Sequence, residues 1–318
     1  MAKPLWLVTG GAGFIGSHIV EELVRRGERV RVFDNLSTGR REKLAAAAGK
    51  AKVEFVKGDL TRPADCAKAC KGVTFVLHQA AIRSVPKSMD RPLPSNEANV
   101  TGTLNLLVAA RAAGVKRLVY ASSSSVYGGC KVFPQREDMR PQPLSPYAVS
   151  KLAAENYCVV WAKSFGFETV SLRYFNVFGP RQDPESLYSA VVPKFMQQIV
   201  DGETLDVHWD GKQSRDFTHV SNVVRANLLA AKAPAAKVSG EVINIANRRT
   251  YSLLDMIAVL EKIVGRKLDR RHHPRRGGDV RKTYAENAKA KRLLGYKPVM
   301  GFEEGLRDTW AWTVGKNK

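Results

Sequence analysis

Short runs of aliphatic and β-branched residues recur through the first half of the chain, separated by stretches with helical apolar periodicity. The runs predict strands at Leu5–Thr9, Val30–Asp34, Val53–Lys57, Thr74–Gln79, Lys116–Ser122 and Thr169–Tyr174. Helical spacing marks Gly16–Arg26 and Val100–Ala113, and Gly27 and Gly114 stand where a left-handed residue ends a helix. Strands alternating with helices imply βαβ units, and hence an α/β fold with a doubly wound parallel sheet of Rossmann type.

The pattern changes after Phe175. A Pro/Gly/polar stretch, Gly179–Ser189, precedes a predicted helix at Val192–Asp201. One further strand, Glu241–Ala246, is expected to return to the main sheet. Helices follow at Ser252–Val264, Ala285–Leu294 and Phe302–Trp312, and Ser252 with Asp255 forms an N-cap arrangement. The division expected is a nucleotide-binding domain over 1–175 and a smaller α/β lobe over 176–318 that closes a cleft.

Composition narrows the class. With 318 residues, 44% hydrophobic and 25% charged, the chain has the make-up of a globular protein with a sizeable core. No apolar run approaches the ~20 residues of a membrane helix, and the N-terminus enters a strand-like run at once, so neither a span nor a signal peptide is expected. Cys66, Cys70, Cys130 and Cys158 lack zinc-ligand spacing; reduced thiols in a cytoplasmic enzyme, with no metal, are the expectation. The excess of 51 Lys+Arg over 30 Asp+Glu gives +21. It is scattered over helix surfaces without a nucleic-acid-binding module, which points to an anionic small molecule rather than to nucleic acid. Only residues 266–282, with Arg270, Arg271, Arg275, Arg276 and Arg281, are dense enough in charge to mark a site.

The first strand runs into Gly10-Gly11-Ala12-Gly13-Phe14-Ile15-Gly16 and then a helix. This spacing gives a tight turn, close backbone approach to a pyrophosphate and a helix N-terminus facing the anion. Asp34 ends the second strand, near the ~20-residue spacing of the carboxylate that binds the adenosine ribose. A carboxylate there repels a 2′-phosphate, so NAD is favoured over NADP despite Arg40 and Arg41 nearby. Asp59, after the third strand, is placed either to meet the adenine amino group or to cap a helix.

Ser122-Ser123-Ser124-Ser125 follows the fifth strand, and Ser145-Pro146-Tyr147 opens a helix in which Tyr147 and Lys151 share a face. A tyrosine must fall about three pKa units, roughly 4 kcal/mol, to accept a proton near neutrality. A cation ~4 Å away at an effective dielectric of ~20 supplies about that much. Lys151, with the positive nicotinamide ring, is the expected source, and the Ser123 hydroxyl is expected to help pass the proton.

Together the strings TGGAGFIGSH (9–18), DNLS (34–37), HQAA (78–81), SSSSVYG (122–128), SPYAVSK (145–151), RYFN (173–176), SRDF (214–217) and GDV (278–280) resemble the extended short-chain dehydrogenases/reductases over essentially the whole chain, and within them the UDP-hexose 4-epimerases. The resemblance implies a catalytic Ser123, Tyr147 and Lys151. It implies NAD contacts at Gly10, Gly13, Phe14, Ile15, Gly16, Asp34, Asn35, Ser37, Gly39, Asp59, Leu60, Gln79, Ala80, Ala81, Asn99, Ser122, Tyr147, Lys151 and Tyr174. For the UDP-sugar it implies Ser84, Ser123, Ser124, Tyr147, Asn176, Val191, Arg215, Arg276, Asp279 and Thr283.

The resemblance also separates reactions. Sugar-nucleotide dehydratases carry Asp-Glu where this chain has Ser124-Ser125, and UDP-glucuronate decarboxylases tend to carry Glu at Ser125, so oxidation at C4 with return of the hydride remains. Epimerases that exclude N-acetyl sugars have a bulky tyrosine where Thr283 stands here, and the stretch beginning Arg181-Gln182-Asp183-Pro184 is similar to UDP-N-acetylglucosamine epimerases. Arg83 departs from that pattern, where a smaller residue is usual. UDP-glucuronate 4-epimerases share SSSSVYG and a small residue near Thr283, and stay open as the alternative. A homodimer through the helices beginning near Val100 and Tyr147 is also implied.

Overall fold

The computed structural model describes residues 3–45, 53–183, 191–275 and 280–316. Seven parallel strands form the main sheet: β1 (Leu5–Thr9), β2 (Arg29–Asp34), β3 (Val53–Lys57), β4 (Phe75–His78), β5 (Arg117–Ser123), β6 (Glu168–Tyr174) and β7 (Glu241–Ile245). Their order across the sheet is β7-β6-β5-β4-β1-β2-β3. The chain runs outward from β1 to β3, then crosses to β4 on the other side of β1. That reversal places a crevice at the carboxyl ends of β1 and β4, where open α/β sheets bind ligands.

The predicted strands all form, with ends shifted by a residue or two. Their apolar runs are continuous because both faces are covered. From β1, Trp6 and Val8 pack with Ile19 and Leu23 of helix α1 (Phe14–Arg25) and with Val223 of the helix Val220–Lys232. Leu5 and Leu7 point the other way, toward Leu106 of the helix Gly102–Ala112 and Cys158 of the helix Pro146–Phe165. Each such fully buried side chain contributes roughly 1.5–3 kcal/mol. A third cluster, including Phe195, Leu205, Met256 and Phe302, forms the core of the C-terminal part.

Several local readings hold in detail. Ser252 and Asp255 form a reciprocal capping box. Cys66 and Cys70 lie on the helix Pro63–Cys70 as buried free thiols, each pushed up to about 12 by burial. The helix expected from Ala285 begins at Ala288 instead, because the main chain at Ala285 pairs with Gln135. Among the described residues, no helix is long and apolar enough to cross a membrane.

Beneath the segment that carries Tyr147 lies a buried ion pair. Arg173 on β6 donates to both carboxylate oxygens of Glu155, at 2.9 and 2.7 Å, and Ser122 on β5 donates to Glu155 at 2.6 Å. Stranding either charge there costs on the order of 3–5 kcal/mol. The helix carrying Tyr147 is therefore clamped to both strands whose ends form the site.

Candidate active site

The carboxyl ends of β1 to β6 open into a cavity of about 670 Å³. At its nucleotide end the wall is bare backbone. Gly10 adopts φ +64°, and a Cβ there would lie 2.8 Å from the Ala80 main chain. A Cβ on Gly16 would run into the Gly10 carbonyl oxygen, so α1 could not approach the turn so closely with a side chain at that position. Bare backbone at a helix N-terminus is chemistry that suits a pyrophosphate.

Asp34 sits beside it, buried, accepting from the Ala12 N–H at 3.0 Å and the Leu36 N–H at 2.8 Å. Its carboxylate thus orders the loop that carries Asn35, Ser37 and Gly39 into the cavity wall. Asp59 accepts from Asn35 at 2.9 Å and from the Thr61 main chain and hydroxyl. Partial burial opposes its ionisation, but these hydrogen bonds and the Arg62 charge outweigh it and hold the carboxyl below its usual range. Asp59 therefore both braces a turn and lines the cavity.

The helix carrying Tyr147 and Lys151 starts where the sequence places it. Ser145 accepts from the Ala148 N–H at 3.1 Å, Pro146 occupies the first turn, and Gly166 in the left-handed region closes the far end. Tyr147 lines the cavity with Ser122, Ser123, Ser124 and Ser125. Ser123 accepts from the Ser125 N–H at 3.1 Å and hydroxyl at 2.9 Å. Lys151 is buried one turn on, donating to the Ala121 carbonyl at 2.8 Å, with its ammonium 4.9 Å from the Tyr120 ring.

The electrostatics correct one expectation. Burial raises the Tyr147 hydroxyl above its ordinary range, and the influences pulling it back down are the Ser123 hydrogen bond and the Arg83 charge. Burial also lowers Lys151, to about 8. The simple charge argument counted the cation but not the desolvation of both groups, which works against it.

Elsewhere on the cavity wall, Asn176 adopts φ +37° and its amide donates to the Thr283 hydroxyl at 2.8 Å and the Asp216 carbonyl at 3.1 Å. Thr283 is held in turn by main-chain bonds to Ser214 and Asp216. Asp216 is fully buried; burial pushes its carboxyl to about 7, against N–H donors that include those of Asn247 and Ala285. It fixes the strand that presents Arg215 to the cavity.

The structure brings most of the expected residues to this cavity: the Gly10–Gly16 wall, Leu60, Gln79, Ala80, Ala81 and Tyr174 with those already described, and Ser84, Asn176, Arg215 and Thr283. Four are placed differently or lie outside it. Asn99 is buried behind the wall, where it bonds both main-chain groups of Ile82 and the Ser150 hydroxyl. Lys151 lies behind Tyr147 rather than on the surface of the cavity, and Val191 begins a helix away from it. Ser84 reaches the cavity, yet its hydroxyl caps a short helix by accepting from the Lys87 N–H. Arg276 and Asp279 lie outside the described residues.

Sequence reasoning missed Gln135 and Lys43, which also line the cavity, as do Gln182 and Asp183 of the string that resembles UDP-N-acetylglucosamine epimerases. Arg83 was visible only as a departure from a family pattern. No local signal marks Gln135 or Lys43, which reach the site through long-range contacts.

The sequence profile of the NAD dependent epimerase/dehydratase family matches residues 6–246. A UDP-glucose 4-epimerase of Mycolicibacterium smegmatis is 37% identical, covering 95% of this chain and 96% of the relative. The solved UDP-N-acetylglucosamine 4-epimerase of Methanobrevibacter ruminantium superposes with a TM-score of 0.93 at 36% identity, covering 99% of this chain and all of that one. A Bacillus cereus UDP-glucuronic acid 4-epimerase, solved with UDP-glucuronic acid and NAD, gives 0.90 at 32% identity, covering 98% and 99%. By sequence and by fold, the chain belongs to the NAD-dependent epimerase/dehydratase family of extended short-chain dehydrogenases/reductases, stands among its UDP-sugar 4-epimerases, and uses NAD as its cofactor.

Proposed function

We propose that the protein interconverts UDP-N-acetylglucosamine with UDP-N-acetylgalactosamine, and UDP-glucose with UDP-galactose, by epimerisation at C4. The observation that carries this reading is one cavity lined by Tyr147 and Ser123 together with Thr283, a small side chain. The glycine-walled turn and Asp34 hold NAD, residues 1–175 supply most of its contacts, and 176–318 most of those to the UDP-sugar. The expected setting is the cytoplasm.

In this mechanism Tyr147 takes the proton of the sugar 4-hydroxyl and later gives it back, with Ser123 as the hydrogen-bonding relay. Lys151 orients the tyrosine from behind and contributes positive charge. Bound NAD would supply a hydride acceptor and donor for C4 and a positive ring near Tyr147. Inversion at C4 would require the 4-keto sugar to present its other face within the cavity. Asn176 positions the sugar near its phosphate, and Arg215 with Arg276 neutralises the diphosphate, a task suited to paired guanidinium donors. Assay of the purified protein with NAD and each UDP-sugar tests the assignment; absence of the C4 epimer from both UDP-N-acetylglucosamine and UDP-glucose refutes it.

Arg83 favours a second reading. Its exposed guanidinium lines the cavity and has no carboxylate partner among the described residues, so it is placed to meet an acidic sugar. Turnover of UDP-glucuronate alone would select that reading.

Two predictions belong here. Asp34→Ser should weaken NAD binding by roughly 10-fold, the value of a charge-assisted hydrogen bond, and should narrow the preference over NADP; unchanged NAD affinity would remove Asp34 from the cofactor site. The exposed Val108, Val160 and Phe165 lie on the two helices that form the proposed dimer face. Val108→Glu is expected to convert a dimer to a monomer in light scattering; a mass that stays dimeric would place the interface elsewhere.

A further inference from the structure

Gln135 is 2% exposed, and its side-chain oxygen has no hydrogen-bond partner among the described residues. Buried acceptors without a partner are rare, and each calls for an explanation. The Gln135 main chain is held in place. Its N–H donates to the Tyr284 carbonyl at 2.7 Å, while its own carbonyl accepts from the Glu286 N–H at 2.9 Å and the Asn244 amide at 3.1 Å. This main-chain pairing beside Ala285 sets Gln135 next to the segment that carries Thr283, and both residues line the cavity. Gly128, Ser124 and Ser125 line it as well.

We propose that Gln135 is a specificity-determining residue, whose side-chain amide turns to the cavity and exchanges a hydrogen bond with a hydroxyl or the acetamido group of the sugar beside Thr283. The inference rests on reading the cavity as a UDP-sugar site, and it adds a sugar contact to that reading. A buried amide whose oxygen has no protein partner suits discrimination, because a ligand that lacks the matching group leaves it unpaired. The nucleotide has no part in the contact, so UDP alone gains nothing from it.

The test separates sugar from nucleotide by binding. Gln135→Met, close in shape but without the amide, and Gln135→Leu are each combined with Tyr147→Phe to suppress turnover. Affinities for UDP, UDP-glucose and UDP-N-acetylglucosamine are then measured by calorimetry on the NAD-loaded protein. Loss of the contact is expected to weaken at least one UDP-sugar by about 10-fold while UDP changes less than about 2-fold. Unchanged sugar affinity overturns the proposal, and so does parallel weakening of UDP and UDP-sugars, which marks a structural role. Should the wild type bind UDP-sugars in this way and yet form no C4 epimer, the epimerase reading fails while the Gln135 contact stands.

Discussion

Tyr147→Phe is expected to lower kcat by about 10³-fold while leaving NAD content and UDP affinity within a few-fold of wild type. General acid–base groups contribute about 10²–10⁴-fold, and this change deletes only the hydroxyl that would carry the proton. The surroundings argue that no neighbour takes over. Ser123 accepts from Ser125 and has an ordinary alcohol's reluctance to ionise, and Lys151 donates to the Ala121 carbonyl. The ring remains held, because the Tyr147 N–H donates to the Ser88 hydroxyl and the helix is clamped through Glu155 and Arg173. Measured under saturating substrate with bound NAD quantified, residual activity above about a tenth of wild type would remove Tyr147 from the proton path.

The same pair shows what the sequence conveys and what it leaves out. Gly10, Gly13 and Gly16, Asp34, and the Tyr147/Lys151 spacing were legible because each is a local requirement: a turn, a strand end, one helical turn. The seven-stranded sheet was legible for a similar reason, since strand and helix periods alternate along the chain. Burial is not local. It raises Tyr147 and lowers Lys151 together, so an argument from charge separation alone overstated what Lys151 supplies. Contacts between distant segments were equally hidden. Gln135 is positioned by main-chain pairing around Ala285, and Asn99 supports Ile82 instead of facing the cavity. Ser84 was expected at the sugar and lines the cavity, but its hydroxyl serves a helix cap that its sequence neighbours alone do not reveal.

Thr283→Tyr is expected to lower kcat/KM for UDP-N-acetylglucosamine by about 30–100-fold, and for UDP-glucose by less than about 5-fold. Forcing a large ring into occupied space costs roughly 1–3 kcal/mol, and here the penalty falls on the substrate whose acetyl group needs that space. A second effect must be separated from it. The Thr283 hydroxyl accepts from the Asn176 amide, so replacing the threonine also frees the residue proposed to position the sugar. That loss touches every substrate alike. Thr283→Val keeps the size but removes the hydroxyl, and it is expected to reduce kcat/KM for both substrates by a similar factor, near 10-fold or less. The ratio of the two substrates therefore reports space, while the common factor reports the Asn176 bond. A tyrosine variant that slows both substrates equally, with a valine variant that does the same, would mean that Thr283 anchors Asn176 and does not set the width of the sugar site.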